Sequence, residues 1–562
     1  MNYLVSINQI LNNGERKKLI ILIFLFLISS VLEIFSLGMI FPLIQSLLNP
    51  ELVSNFLETK VNIYINKDDL RILIITSFFL IFLFKNIFIF FFNWWTFRFT
   101  NNLNVRLCKD LYSGYLNMDP IFFMKRNIGI LMRNLQIEAG LVSKTIYQLI
   151  TLINEVIIIL SISIFLIIFD WKSFLIVSSS LIFFFYFFNY FSKNYIYKLG
   201  KLRTERSAKV PKILIEGFNS YKEIQIYNVK NFFINKYASE EKSLAEYNIK
   251  QSLVGVLPKL YFEVIFILIF SIFVFYFLLG NAVVVQTGAD LITIIGMFAA
   301  AAIRILPSSA RILTSLQGIR YQKKSFEIIF EDIKFIKESL KSKNLNINPQ
   351  SLDFVNFLSF KNISFRYGKK KIFDNFNLQI NKGEKVGIVG ANGKGKSTLL
   401  NIFLGFLEPS SGKFTVDDKD IMENLESWRK IVSYVPQNIN VMNMSIKENI
   451  LFGRDKNLNI DDSILRKSCL KEFVNSLEDG INTEISELGK NISGGQAQKI
   501  AIARALFAKP EILFMDESTS SIDNEDEKKI IDNLLNDKDL TIVFVTHKKN
   551  LLEKFDKVVE LK

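Results

Sequence analysis

Apolar residues are not spread evenly along this chain. Up to about residue 320 they gather in runs long enough to cross a bilayer, and beyond about residue 353 they break into short strand-like and helix-like clusters. A transmembrane helix needs ~20 largely apolar residues. Five runs meet that length: Leu19 to about Leu48, Ile72 to Phe97, Thr145 to Phe169, Ser173 to Phe191, and Leu260 to Leu279. A sixth, from about Leu291 to Ile303, is shorter and continues past Arg304 and Pro307 toward Arg311. The first run is too long for a cleaved signal and lacks a small-residue cleavage site. The pattern predicts a membrane α-helical domain of six transmembrane helices over 1–325, a linker over 326–352, and an α/β domain over 353–562.

Composition agrees with a membrane protein. Half of the 562 residues are hydrophobic (50%), 54 are Phe, and the mean hydropathy is +0.27. Disorder and a wholly soluble enzyme are excluded. Two Cys, Cys108 and Cys469, and one His exclude a disulfide-stapled fold, a CxxC zinc site and a multi-His metal site. The net charge of +14 does not point to nucleic acid, because the Lys and Arg fall between the apolar runs rather than in one arm or stripe. Arg16, Lys17 and Lys18 precede the first span. Arg98, Arg106, Lys109, Lys125, Arg126 and Arg133 occupy the 98–138 loop, and the 193–259 loop is richer still. The positive-inside rule then puts the N-terminus, both long loops and the C-terminal domain in the cytoplasm. Both loops read mostly as helix, with breaks at Met118-Asp119-Pro120-Ile121-Phe122 and Glu216-Gly217-Phe218-Asn219-Ser220-Tyr221. Their apolar side chains suit a docking role on a cytoplasmic face, with an ordinary turn as the alternative.

Charges inside a span are costly and tend to be functional. Lys85, Lys259, Arg304 and Arg311 are candidates to line an anion-accepting cavity. The alternative is pairing with Glu33, Glu155 or Glu263. Residues 49–58 carry Leu52, Val53, Phe56 and Leu57 at helical spacing in an external segment, suited to the outer bilayer surface or to a plug.

The C-terminal half carries the clearest chemistry. Gly390-Ala391-Asn392-Gly393-Lys394-Gly395-Lys396-Ser397 follows a buried strand and opens a helix at Thr398, as a P-loop requires. Its backbone N–H groups cradle phosphates, Lys396 reaches the β/γ oxygens, Ser397 binds Mg²⁺, and the helix N-terminus faces the anion. Ile512-Leu513-Phe514-Met515-Asp516 ends an apolar strand in a carboxylate for Mg²⁺. Glu517 beside it can polarise the attacking water. His547 follows another apolar strand and is a candidate γ-phosphate contact. Ser493, Gly494, Gly495 and Gln496 open a further helix as a second anion site. One nucleotide does not need two such sites in one chain, so this helix is expected to complete the site of another copy.

These motifs, in this order, resemble an ATP-binding cassette (ABC) exporter half-transporter along nearly the whole chain. The resemblance implies the type I ABC exporter architecture, ATP and Mg²⁺ as cofactors, and a homodimer in the lipid bilayer. It makes Tyr367 the adenine-stacking aromatic and Gln437 a contact to Mg²⁺ and the attacking water. Residues 492–496 become the signature, Ser520-Ser521-Ile522-Asp523 the D-loop, and Glu487 part of the loop touching the partner's cytoplasmic helix. Ile492 stands where the family usually has Leu, and Lys394 where it has a small residue. The membrane half is similar to bacterial lipid-linked oligosaccharide flippases at Leu83-Phe84-Lys85-Asn86, Val256 to Tyr261 and Ile303 to Ile312. That similarity implies contacts from Lys85, Lys259, Arg304 and Arg311 to a polyprenyl-diphosphate-linked oligosaccharide, moved to the outer leaflet of a bacterial inner membrane. It also implies that 49–58 meets the polyprenyl tail. Export of drugs, peptides or other lipids, or a nucleotide-gated channel, remains open, because this fold and its ATPase motifs do not set the cargo.

Overall fold

The computed structural model describes residues 3–48, 67–278, 288–344, 352–486 and 491–561. The 49–58 segment and Glu487 lie outside the described residues. The chain divides into two compact units. One contains the residues up to Met118 and Phe122–Leu340, the other Asp119–Ile121 and Lys341–Lys562.

The first unit is all helix. Its main elements are α1 (Asn13–Gly38), α2 (Lys67–Leu116), α3 (Ala139–Ser207), α4 (Lys230–Leu278), α5 (Gly288–Tyr321) and α6 (Lys323–Asn344). α1 opens with a capping box in which the Asn12 backbone N–H donates to Glu15 at 2.9 Å. A straight helix as long as the 69-residue α3 would span ~100 Å. Yet its two ends meet: Arg203 lies 3.1 Å from Glu138, and the Ser207 hydroxyl 3.2 Å from the same carboxylate. The segment therefore folds back on itself between its ends. Spans three and four are its two arms.

Among the described residues, Asn13–Ser46, Asp68–Leu116, Ile128–Ile168 and Lys230–Ile269 are long and apolar enough to cross a membrane. The remaining expected spans, 173–191 and 291–303, are helical in backbone. Large apolar side chains such as Ile168, Phe183, Val264 and Ile303 are exposed, a surface that only lipid or another apolar partner can cover. The stretch read as a linker from residue 326 is helical to Asn344. Phe326 and Ile329 are fully buried there, in one core with Leu103, Leu107, Leu111, Val142 and Ile146.

The second unit is built on two sheets. β1 (Phe357–Tyr367), β2 (Lys370–Asn381), β4 (Ser411–Val416) and β5 (Lys419–Asp420) form an antiparallel sheet in the order β2-β1-β4-β5. β3 (Lys385–Gly390), β6 (Val432–Val435), β7 (Ile512–Asp516), β8 (Thr541–Val545) and β9 (Lys557–Leu561) form a parallel sheet in the order β6-β7-β8-β3-β9. The central strands β3, β7 and β8 are buried almost end to end, because helices and the other sheet cover both faces. Phe360, Phe403, Phe414, Trp428 and Phe514 pack edge to face, stacked or tilted between the sheets. In such sheets ligands bind beyond the carboxyl ends of the strands. The order β6-β7-β8-β3 brings Gln437, Asp516-Glu517, His547 and the P-loop to that edge side by side.

Candidate functional site

The P-loop leaves β3 and enters α7 (Lys396–Phe403) through Gly395, whose φ is +94°. A Cβ here would lie 2.7 Å from Ile372 Cγ2 and 2.9 Å from Phe373 Cζ, so glycine is required by both conformation and space. Gly393 also has positive φ, while Gly390 closes β3. Asn392, Lys394 and Ser397 are exposed and Thr398 half-buried, so the loop's rim is open to a ligand. Lys396 is buried. Its ammonium donates to the carbonyls of Gly390 at 2.8 Å and Ala391 at 3.4 Å, which holds it over the loop.

Glu517 stands where β7 ends, with φ +44° in the left-handed region and its N–H on the Val545 carbonyl at 2.9 Å. Strain of this kind persists where surroundings over-determine a residue. Both neighbouring strands supply a partner. Gln437, beyond β6, donates Nε2 to Glu517 Oε2 at 2.8 Å, and His547, beyond β8, places Nε2 2.8 Å from Oε1. The carboxylate is thus aimed from two sides. Burial, and then the charge of Glu517, push the Asp516 carboxyl up, while Lys396 opposes them. The Tyr434 phenol on β6 is pushed up to about 12 by burial and by Asp516.

These groups fit Mg²⁺. Ser397, the Gln437 amide oxygen and Asp516 are hard oxygen donors, and the Gln437 amide nitrogen is already committed to Glu517. A cation would also relieve two adjacent carboxylates. Among the described residues no cluster of three or more His, Cys, Asp or Glu forms a separate metal site. Tyr367 is partly exposed at the end of β1, edge-on to Phe365 at 4.9 Å, so its outer face is free to stack.

Ser493 caps α8 (Gly494–Phe507) in a capping box. Its hydroxyl accepts from the Gln496 N–H at 3.1 Å, and Gln496 Oε1 accepts from the Ser493 N–H at 2.7 Å. The Gln496 side chain therefore builds the helix start, while the Ser493 hydroxyl proton and the Gly494 and Gly495 N–H groups are left for an anion. A Cβ on Gly495 would lie 2.9 Å from the Ser521 carbonyl, which ties this turn to the D-loop. Gln498 was missed from the sequence. It is buried, accepts from the Ser521 N–H at 2.9 Å and lies 3.4 Å from the Ser520 hydroxyl, so it carries the D-loop on α8. Its only signal was a Gln on the inward face of a helix whose other inward residues are apolar.

In the first unit a cavity of about 300 Å³ lies among α1, α2, α3 and α5. Its walls include Ser29, Asn93, Asn154, Glu155, Arg304 and Arg311. Of the four basic candidates only Arg304 and Arg311 line it. Arg311 makes a two-point contact with Glu155, Nε to Oε1 at 2.6 Å and Nη2 to Oε2 at 3.1 Å. Arg304 Nε is 2.6 Å from Glu33 Oε1 without its N–H aligned on that oxygen. Lys85 is buried, 3.7 Å from the same Glu33 oxygen and donating to Ser36 Oγ at 3.1 Å. Lys259 and Glu263 are exposed on α4, outside the cavity walls.

Comparison with known proteins agrees with both halves. Residues 19–305 match the ABC transporter transmembrane region, and residues 373–520 match the ABC transporter family. A Rickettsia typhi protein described as an export ATP-binding/permease protein is 31% identical over 65% of this chain, and the match spans 63% of that relative's length. An ATP-dependent lipid A-core flippase of Francisella tularensis is 27% identical over 80% of this chain and 74% of its own. The structure of a bacterial Atm1-family ABC exporter with ATP bound superposes with a TM-score of 0.77 at 18% identity, covering 98% of this chain and 94% of that one. The chain belongs to the ABC transporter family, as an exporter half-transporter that joins a membrane region to a Mg²⁺-dependent ATP-hydrolysing cassette.

Proposed function

We propose that two copies of this chain form an ATP-driven flippase in a bacterial inner membrane, moving a lipid with a phosphorylated glycan headgroup from the cytoplasmic to the outer leaflet. The observation that carries this reading is the cavity of about 300 Å³ walled by Arg304, Arg311 and several amide and hydroxyl side chains. An anionic headgroup needs cations and hydrogen-bonding groups. A long hydrocarbon tail can stay in lipid. A polyprenyl-diphosphate-linked oligosaccharide fits, with its diphosphate taking the place of Glu33 and Glu155 as partner of the arginines. A lipid A-type glycolipid has the same chemistry, and the Francisella relative's name favours it as the second reading.

The cassettes supply the drive. ATP held by the P-loop of one copy meets Ser493, Gly494 and Gly495 of the partner only when the pair is closed, so binding shifts the population toward closure. Ser397, Asp516 and Gln437 would hold Mg²⁺, which would supply neutralisation of phosphate charge. Glu517, aimed by Gln437 and His547, accepts the proton of the attacking water. Loss of the bridging phosphate then lets the pair part.

The test is headgroup translocation in proteoliposomes with a fluorescent polyprenyl-diphosphate disaccharide. Wild type should move it with ATP. Arg304→Ala and Arg311→Ala should cut the rate at least tenfold while nucleotide binding persists. Undiminished movement in the double variant would remove the anionic-headgroup reading.

A further inference from the structure

A second, smaller cavity of about 180 Å³ lies further along α2 and α3, toward their expected cytoplasmic ends. Its lining includes Thr100, Asn101, Asn104, Ser143 and Lys144. Tyr147 is a wall of both cavities, and Phe97 of the smaller one. The two rings stack at 5.4 Å with planes 15° apart. They sit where the chambers adjoin, and Thr96, the residue before Phe97, lines the larger one.

Together the linings form a polar seam. On α2 it runs through Asn86, Asn93, Thr96, Thr100, Asn101 and Asn104. On α3 it runs through Ser143, Lys144, Tyr147, Thr151, Asn154 and Glu155. Both sets recur at three- and four-residue steps, so each is one helix face. From Asn86 to Asn104 the seam spans ~27 Å at helical rise, running from within span two into its expected cytoplasmic extension. Within span two, from Asn86 to Thr96, such a polar face is costly beside lipid and is favourable toward a polar guest.

Hydrogen bonding within the seam leaves acceptors over. Asn101 Nδ2 donates to the Phe97 carbonyl at 2.9 Å, and its amide oxygen remains to accept. The buried Oδ1 of Asn154 has no hydrogen-bond partner among the described residues. Acceptors of this kind, beside hydroxyls, match the O–H groups of a sugar. A flat aromatic pair matches the C–H face of a sugar ring.

We infer that the smaller chamber is a glycan subsite. Asn101, Asn104 and Lys144 take the first sugars of the headgroup, and the stacked Phe97–Tyr147 pair is the platform and constriction through which they pass to the arginine cavity. This rests on the lipid-headgroup reading above and adds that the glycan, not only the phosphate, is recognised.

The test compares two probes on the full-length protein in nanodiscs: undecaprenyl diphosphate carrying one N-acetylglucosamine, and undecaprenyl diphosphate alone. The readout is the concentration giving half-maximal ATPase stimulation. Asn101→Ala with Asn104→Ala should raise it about fivefold per hydrogen bond lost for the sugar-bearing probe and leave the bare diphosphate unmoved. Tyr147→Ala should do the same, and Tyr147→Phe, which keeps the stack, should behave as wild type. The asparagine pair serves as an independent arm should Tyr147→Ala misfold. Equal shifts for both probes, or no shift, overturn the inference and leave the flippase reading standing. A wild type stimulated by neither probe overturns both.

Discussion

Glu33 offers a sharp energetic test, because one carboxylate serves two cations. Its side chain is 3% exposed, with Lys85 at 3.7 Å and Arg304 at 2.6 Å. Glu33→Gln keeps the shape and removes the only negative charge of the trio. Coulomb's law at an effective dielectric near 20 gives about 4 kcal/mol at 3.7 Å and about 6 kcal/mol at 2.6 Å. Removing one partner of a buried ion pair costs about 3–5 kcal/mol, since the other charge stays buried and unpaired. The variant should therefore melt well below wild type, read as loss of helical ellipticity at a fixed scan rate. Adding Lys85→Met and Arg304→Met removes the orphaned cations and should restore the melting temperature to wild type or above, because apolar replacement of a whole buried ionic cluster is often neutral or stabilising. Wild-type melting of Glu33→Gln, or a triple variant no more stable than the single one, would refute the reasoning.

Three further outcomes follow from the cassette. Glu517→Gln should lower ATP turnover about 10²–10⁴-fold, as expected for loss of a general base, with nucleotide affinity retained in equilibrium binding; turnover within threefold of wild type would exclude that role. Gly395→Ala should weaken ATP binding at least tenfold, because the new Cβ meets Ile372 and Phe373 at a φ of +94°; calorimetry showing unchanged affinity would contradict it. The raised Asp516 carboxyl gives a signed pH effect. The folded protein keeps that proton to higher pH than the unfolded chain, so the associated stability is full below the ordinary Asp range, near 3.9, and fades as pH rises through the raised value. Mg²⁺ needs the deprotonated form, so the Mg²⁺ concentration for half-maximal turnover should climb as pH falls through the raised value. A flat profile would exclude Asp516 as the titrating ligand.

What the sequence made legible was local. The P-loop, the strand ending in Asp516-Glu517 and the Ser493 cap are short stretches whose backbone geometry follows from glycines, apolar runs and capping residues. The strand order then explains why Gln437 and His547 meet Glu517, although Gln437 lies 80 residues away. The membrane charges were harder to read. Lys85 and Arg304 are expected in an anion-accepting cavity, with pairing to Glu33, Glu155 or Glu263 as the alternative, and the structure pairs both with Glu33, 52 residues before Lys85 and on another helix. Arg311 and Glu155 are 156 residues apart. No local pattern encodes such pairing. It arises only when helices pack, and it turns free cations into compensated ones. The stretch at 326–344, expected as part of a linker, is an amphipathic helix with one apolar face that buries Phe326 and Ile329.

The central claim is that ATP hydrolysis moves a phosphate-bearing headgroup across the bilayer. Its most direct measurement follows ATP consumption and headgroup exposure together, in one proteoliposome preparation, for a diphosphate-headgroup lipid and a zwitterionic one. Appearance of the diphosphate lipid at the far leaflet should track hydrolysis and stop in Glu517→Gln, with the zwitterionic lipid left behind. Equal movement of both lipids, or movement that continues without hydrolysis, would contradict the account.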